Sequence, residues 1–319
     1  MNTLIKKLEN ILLGKKYKFD KIIFLAGDAS NRKYFQVISD KSKNVLMYDN
    51  TKEIGLAQFI LATKILTECK INVPKIFNDY SQNGILIIEN FGENKYGDIL
   101  TNKNEVKLYK LAIDTLVFIH KDKKKHKIKS LNNNIYFKEL DIFFEWFLPF
   151  NNKNISVSEK KALINLFTEL FSNLKKLKNV LVHRDFHIDN LFYLKDQEGL
   201  KKCAWIDYQD MLLGPASYDL MSLLEDARKS LSIRLREELL NYYLENMNYK
   251  NETHFKFSFK ILALQRHLKV LGIFCRLNSR DSMPNYLIHL PRIKNYLQDI
   301  FNDKNFSEIG KILKPLIFS

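Results

Sequence analysis

The sequence predicts an α+β fold, with a small β-rich lobe followed by a larger, mainly helical one. Three observations predict it. Short β-rich segments separated by turn residues fill positions 20–90; apolar periodicity of helical type dominates from 105 onward; and one polar tract, LVHRDFHIDNLFYL at 181–194, interrupts the helical half. A chain of 319 residues with 46% hydrophobic content can bury a large core, and at that size two lobes are expected rather than one. The composition change places their boundary after Phe91, giving lobes of 1–91 and 92–319.

The first segment, MNTLIKKLENILLG, sets Leu4, Leu8, Ile11 and Leu12 on one stripe, so it reads as an amphipathic helix. Lys6, Lys7 and Glu9 break any apolar run there, which argues against a signal peptide or membrane span. KIIFL (21–25), KYFQVI (33–38) and NVLMY (44–48) are β-rich, and the gaps AGDASNR and SDKSK carry turn residues. An antiparallel meander is the expected result. TKEIGLAQFILATKILTECK has helical spacing at Ile54, Phe59, Ala62 and Leu66; INVPKIFNDY ends in a turn, and GILIIEN is a continuous apolar strand closing on Glu89 and Asn90. Beyond it, 105–120, 137–148 and 158–177 predict helices, KKCAWIDY (201–208) predicts a strand, and 217–230, 231–248 and 257–277 predict helices again.

The net charge of +15 raises the question of nucleic acid. Lys is spread along the chain together with Asn, however, and the densest run, KDKKKHKIK at 121–129, follows a helix that its cations suit as a solvated end. A nucleic-acid partner is not expected; attraction of anionic small molecules such as nucleotides is. Cys69, Cys203 and Cys275 are far apart without C-x-x-C spacing, so a disulfide framework and a thiolate zinc site are not expected and a reducing cytoplasm is. No apolar run reaches membrane-spanning length, and a monomer is expected.

Within the polar tract, His183, Arg184, Asp185, His187, Asp189 and Asn190 crowd together beside apolar segments. Polar groups next to a core cost free energy unless they are paired or used. A solvated hairpin loop is the plain alternative. Asp185 and Asn190 stand five positions apart, and Asp207 closes the strand AWID. If 191–194 pairs with 203–206, Asp207 returns beside Asn190. One carboxylate could then meet a substrate hydroxyl in a cleft while an amide and a second carboxylate hold Mg²⁺, which takes hard oxygen ligands. H-x-D-x-x-x-x-N followed by a strand ending in Asp is a phosphoryl-transfer layout. His183 and His187 do not suggest zinc, since the tract is not helical and no third ligand stands at useful spacing. His183 is expected to hydrogen-bond within the loop.

HRDFHIDNL with WIDYQDMLLGPASYDLMSLL resembles the aminoglycoside phosphotransferase-like kinases, which have the protein-kinase fold and phosphorylate small molecules. GDASNRKYF, LIIENFGENKYGDIL, ELDIFFEWFL and QRHLKVLGIFCRLNSRD extend the similarity, over nearly the whole chain, to bacterial kinases acting on the anomeric hydroxyl of N-acetylmuramate and N-acetylglucosamine in cell-wall recycling. The resemblance implies a bilobal protein-kinase-like fold, a nucleotide-binding first lobe, a second lobe with the catalytic loop and substrate site, ATP and Mg²⁺ as cofactors, and a sugar acceptor. Asp185 would orient the sugar hydroxyl and accept its proton, and Asn190 and Asp207 would hold the magnesium. Gly27, Asp28 and Ser30 would cover the phosphates, and the backbone at Glu89, Asn90 and Phe91 would meet adenine. Asp219 would brace the loop.

Kinases of this fold usually carry a Lys on the third strand. Here NVLMYDN puts Met47 or Tyr48 there, as in the sugar kinases it resembles, so Arg32 or Lys33 is expected to supply the cation. Arg266 and Arg276 would pair with an acidic sugar, and Gln209 and Asp210 would read its hydroxyls. Trp146 lies in an aromatic stripe that serves as core or as sugar platform. Two other readings stay open: a kinase of an aminoglycoside or another small alcohol, and a nucleotide-binding protein without turnover.

Overall fold

The computed structural model describes residues 1–27, 32–40 and 42–318. The chain forms two compact units, one made of Met1–Ile99 and Asp189–Asp210, the other of Leu100–Ile188 and Met211–Ser319. The first therefore continues past Phe91 and takes in a later stretch of chain, which a single cut in the sequence does not express.

In the first unit, helix α1 (Asn2–Gly14) precedes strands β1 (Lys21–Ala26), β2 (Arg32–Ser39) and β3 (Ser42–Asp49), then helix α2 (Glu53–Glu68), strands β4 (Ile76–Tyr80) and β5 (Ile85–Ile88), and the short helix α3 (Tyr96–Ile99). The strands form one antiparallel sheet in the order β1-β2-β3-β5-β4. The expected meander is β1–β3. Strand β4, within the stretch read as ending in a turn, lies at the sheet edge with no residue fully buried, so it carries no apolar run to mark it.

One sheet face carries Ile22, Phe35, Val37, Leu46, Tyr48, Ile85 and Ile87, packed against Leu8 and Leu12 of α1, both fully buried. Burying each such side chain stabilises by about 1.5–3 kcal/mol. Lys33 pairs with Tyr48 and Tyr34 with Met47 across β2 and β3. Side chains alternate along a strand, so Lys33 shares the α1 face while Arg32, Tyr34 and Met47 lie on the other. The later stretch adds an antiparallel hairpin, Leu191–Tyr193 with Cys203–Trp205, joined to the rest by bridges from Asn72 to Ala204 and from Lys95 to Phe192.

The second unit contains α4 (Glu105–His120), α5 (Asn133–Ile142), α6 (Leu148–Phe150), α7 (Val157–Leu174), α8 (Ser217–Leu224), α9 (Ile233–Met247), α10 (Glu252–Asp281), α11 (Leu290–Phe301) and α12 (Ser307–Ile317), with a ladder of Asn179–Val182 and Leu212–Pro215. The helix read over 217–230 ends at Leu224; the Asp226 carboxylate accepts the Arg228 N–H (2.9 Å) and turns the chain. The helix read over 137–148 is also not uniform. Between α5 and α6, Phe143–Phe147 forms a π-helical turn.

Gly272 of α10 lies against that turn. A Cβ at this position would meet the carbonyl of Ile142 and come within 2.8 Å of the Phe143 nitrogen. Both obstacles are backbone, which cannot swing aside. Gly272→Ala is expected to destabilise by about 1–3 kcal/mol, read as a lowered Tm; an unchanged Tm would contradict this packing.

Candidate active site

In the second unit, strand Asn179–Val182 runs into the polar loop. Asp219, buried in the first turn of α8, accepts the N–H groups of His183 (2.6 Å) and Arg184 (2.9 Å), so it braces the loop. Burial pushes its carboxyl up to about 7, against the pull of those two N–H groups. His183 Nδ1 accepts the Asp185 N–H at 3.3 Å. Arg184 adopts a left-handed backbone with φ +77°, which costs a non-glycine residue on the order of 1–3 kcal/mol and persists only where surroundings enforce it.

Arg266 of α10 supplies part of that enforcement. Its guanidinium donates to the Arg184 carbonyl (2.8 Å) and pairs with the Asp185 carboxylate (3.3 Å). Burial opposes the charge on Asp185, but Arg266, and then Lys269, outweigh it and hold the carboxyl well below the usual range. That balance favours the ionised form of Asp185, whose carboxylate is held against Arg266. Arg266, which the resemblance placed near an acidic sugar, contacts Asp185. Arg276, ten residues on in α10, is about 15 Å further along the axis and half-buried. Trp146 is half-buried in the π-helical turn.

In the first unit, the hairpin brings Asn190 and Asp207 to one end. The Asn190 carbonyl accepts the Ile206 N–H (3.0 Å), just beyond the Leu191–Trp205 pair. Asn190 is buried and Asp207 is left-handed at φ +60°. Tyr208 anchors the segment on α2, stacking on Phe59 at 5.1 Å and bonding the Thr63 hydroxyl at 2.8 Å. Gln209 is buried and donates its amide N–H to Asp207 (2.8 Å), while its Oε1 has no hydrogen-bond partner among the described residues. Asp210 is exposed. Burial, followed by the charge of Asp207, keeps the Tyr34 phenol protonated far above its ordinary range, which puts Tyr34 in the field of Asp207.

Arg32 lies on the Tyr34 face. Its Nε is 3.4 Å from the Asp49 carboxylate, and its Nη2 donates to the Gly55 carbonyl (3.0 Å). Asp49 is buried and also accepts the Thr51 N–H (2.8 Å) and hydroxyl (2.5 Å). Asp49 was not singled out in the sequence, although it follows the Met47-Tyr48 pair and faces Arg32 in the strand register. Gly27, at φ +149°, has no room for a Cβ, which would come within 2.9 Å of the Lys33 backbone. Asp28 and Ser30 lie outside the described residues. Glu89 bonds Lys75 through its own N–H (2.8 Å) and carboxylate (3.2 Å), and the Asn90 side chain accepts the Gly92 N–H (2.9 Å). Together with Phe91 they line an open cavity of about 250 Å³ that the turn at 194–197 borders.

The second unit thus carries a carboxylate on a braced loop, and the first an amide and a carboxylate at a hairpin end. Residues 21–253 match the model of the phosphotransferase enzyme family (APH), and the chain belongs to that family. It is 27% identical over 306 residues to the N-acetylmuramate/N-acetylglucosamine kinase of Pseudomonas aeruginosa, covering 92% of this chain and 88% of that protein. It is likewise 27% identical over 308 residues to the enzyme of the same name from Neisseria meningitidis, covering 93% and 90%. Among solved structures, the choline kinase LicA from Streptococcus pneumoniae superposes with a TM-score of 0.67 at 12% identity, over 94% of this chain and 99% of that one. The ADP-bound aminoglycoside phosphotransferase APH(2'')-Ib gives 0.61 at 17%, over 93% and 97%. The fold is therefore the protein-kinase-like α+β fold, with an antiparallel sheet and a mainly helical remainder. No helix among the described residues is long and apolar enough to cross a membrane.

Proposed function

We propose that this phosphotransferase is an ATP- and magnesium-dependent sugar kinase that phosphorylates the anomeric hydroxyl of N-acetylmuramate or N-acetylglucosamine. The observation that carries the reading is the placement of Asp185, a carboxylate held by Arg266 at 3.3 Å on a loop braced by Asp219. Such a group can align an acceptor hydroxyl and take its proton without needing a raised pKa, because positioning and charge stabilisation dominate phosphoryl transfer. The choice of acceptor rests on the names of relatives that align over some nine-tenths of both chains.

In the proposed reaction, the C1 oxygen bonds to the γ-phosphorus in line with the departing ADP oxygen, and Asp185 receives the C1 hydroxyl proton. Asn190 and Asp207 would hold magnesium. The donor set fits it: both offer hard oxygens, Gln209 orients the Asp207 carboxylate, and the unpartnered Oε1 of Gln209 is a further buried oxygen beside it. When bound, the ion neutralises charge on the phosphates. Glu89–Phe91 would meet the base and Gly27 would border the phosphates. Gln209 then acts on Asp207 rather than on a sugar hydroxyl.

Arg32 is the cation we assign to the nucleotide phosphates, because it shares the sheet face of Tyr34 while Lys33 does not. Arg32→Ala is expected to weaken ATP binding roughly tenfold, and Lys33→Ala to leave it within about twofold. Calorimetric titration of each variant, with Tm as a folding control, tests this; the reverse ranking would reject the assignment.

A choline-like or aminoglycoside acceptor is cationic, and Asp185 is flanked by Arg266 and Lys269, whose charges would repel it. A neutral or acidic sugar meets no such barrier. The test is a panel of N-acetylmuramate, N-acetylglucosamine, glucosamine, kanamycin and choline with Mg-ATP, following ADP release. Turnover confined to kanamycin or choline rejects the sugar reading, and none with any acceptor favours a nucleotide-binding protein without turnover. The enzyme is proposed to work as a monomer in the cytoplasm, with no nucleic-acid partner.

A further inference from the structure

We propose that Glu139 is a positioning residue: by gripping the Arg184 side chain it holds that residue in the left-handed conformation that aims Asp185. The inference rests on the assignment of Asp185 as the group that receives the acceptor's proton.

Glu139 lies on α5, a long way from the loop in sequence, and is only 7% exposed. Its carboxylate accepts from Arg184 (2.5 Å), from Lys269 of α10 (2.6 Å) and from Gln265 of α10 (2.9 Å). Burial disfavours the charge, yet Lys269 and Arg184 more than offset it and keep the carboxyl ionised. A buried carboxylate so surrounded is a fixed point between two helices and the loop.

Arg184 is consequently held from three directions. Its N–H is bound by Asp219, its carbonyl by Arg266, and its guanidinium by Glu139. The two backbone ties hold the N–H and the carbonyl of the residue. The guanidinium tie to Glu139 adds a third point of restraint, through the side chain. Asp185 follows directly, so a rotation at Arg184 swings its carboxylate away from Arg266 and from any acceptor. Arg184 thus carries a strained backbone next to the reacting group, where strain that is enforced from outside serves alignment.

A plain counter-charge role predicts something different. If Glu139 only neutralised Arg184 and Lys269, relieving the strain while removing one cation would cost little. Arg184→Gly does this, since glycine accepts a positive φ without penalty. The alignment role predicts that Arg184→Gly keeps its Tm within a few degrees of the parent and its KM for Mg-ATP within about twofold, while kcat falls by about 10–100-fold. Glu139→Gln should show the same split, with Glu139→Asp recovering part of kcat. Wild-type kcat in Arg184→Gly overturns the proposal, as does a loss of Tm that accounts for the loss of rate. Asp185→Ala measured alongside separates the two levels. If it is fully active, the reading of Asp185 fails; if it is inactive while Arg184→Gly is not, only the role of Glu139 fails.

Discussion

Asp185→Ala is expected to lower kcat by about 10²–10⁴-fold, the usual range for removing a positioned proton acceptor, with ATP affinity within about twofold of the parent. The physical reason lies in where this carboxylate sits. It touches Arg266 and follows a loop braced by Asp219, contacts that all lie within the second unit. Its loss should therefore appear in the chemical step and not in nucleotide binding. The pH dependence follows from the same contacts. Arg266 and Lys269 depress the Asp185 pKa, so the ionised form is present above the usual carboxylate range and is lost only as pH falls below it. The parent should show no acid limb from Asp185 above about pH 4. In Arg266→Gln the largest depressing charge is gone while burial, which raises the pKa, remains; an acid limb should then move up in pH. A limb that stays put would show that Arg266 does not govern the proton acceptor.

Asp207→Ala should act on the metal instead. Removing the only carboxylate of the proposed pair is expected to raise the magnesium concentration needed for half-maximal rate by about 10–100-fold or more, since even changes outside the ligand set cost that much. Gln209 loses its partner in this variant, so a second, smaller effect is expected from Gln209→Ala alone. Titrating the rate with MgCl₂ at fixed ATP gives both values. An unaltered magnesium requirement in Asp207→Ala would remove Asp207 from the metal site. The bond from Ile206 to the Asn190 carbonyl is backbone to backbone and survives substitution, so Asn190→Asp tests the side chain by itself.

What could be read from the chain in advance was local. Strands β1 to β3 announce themselves by apolar runs between turn residues, and the hairpin that returns Asp207 toward Asn190 is a short-range pairing. Asp219 was legible only through the family resemblance, which implied that it braces the loop. The remainder depended on distant partners. Glu139 looks like any polar residue of an amphipathic helix until Lys269 and Arg184 arrive from elsewhere. The contact of Arg266 with Asp185 could not be read from the chain, since it is the packed helix α10 that turns the guanidinium onto the loop. Arg32 and Lys33 were inseparable as neighbours in sequence; the sheet sets them on opposite faces. The π-helical turn at Phe143–Phe147 leaves no mark in periodicity because it lasts a single turn and is matched by a glycine in another helix.

The most direct test is the identity of the product. The protein incubated with N-acetylmuramate or N-acetylglucosamine and Mg-ATP should yield ADP and sugar phosphate in equal amounts, and ³¹P NMR should show the new phosphate coupled to the anomeric proton. That signal should vanish in Asp185→Ala. A phosphate coupled to the C6 protons, or an anomeric phosphate formed equally well without Asp185, would contradict the account.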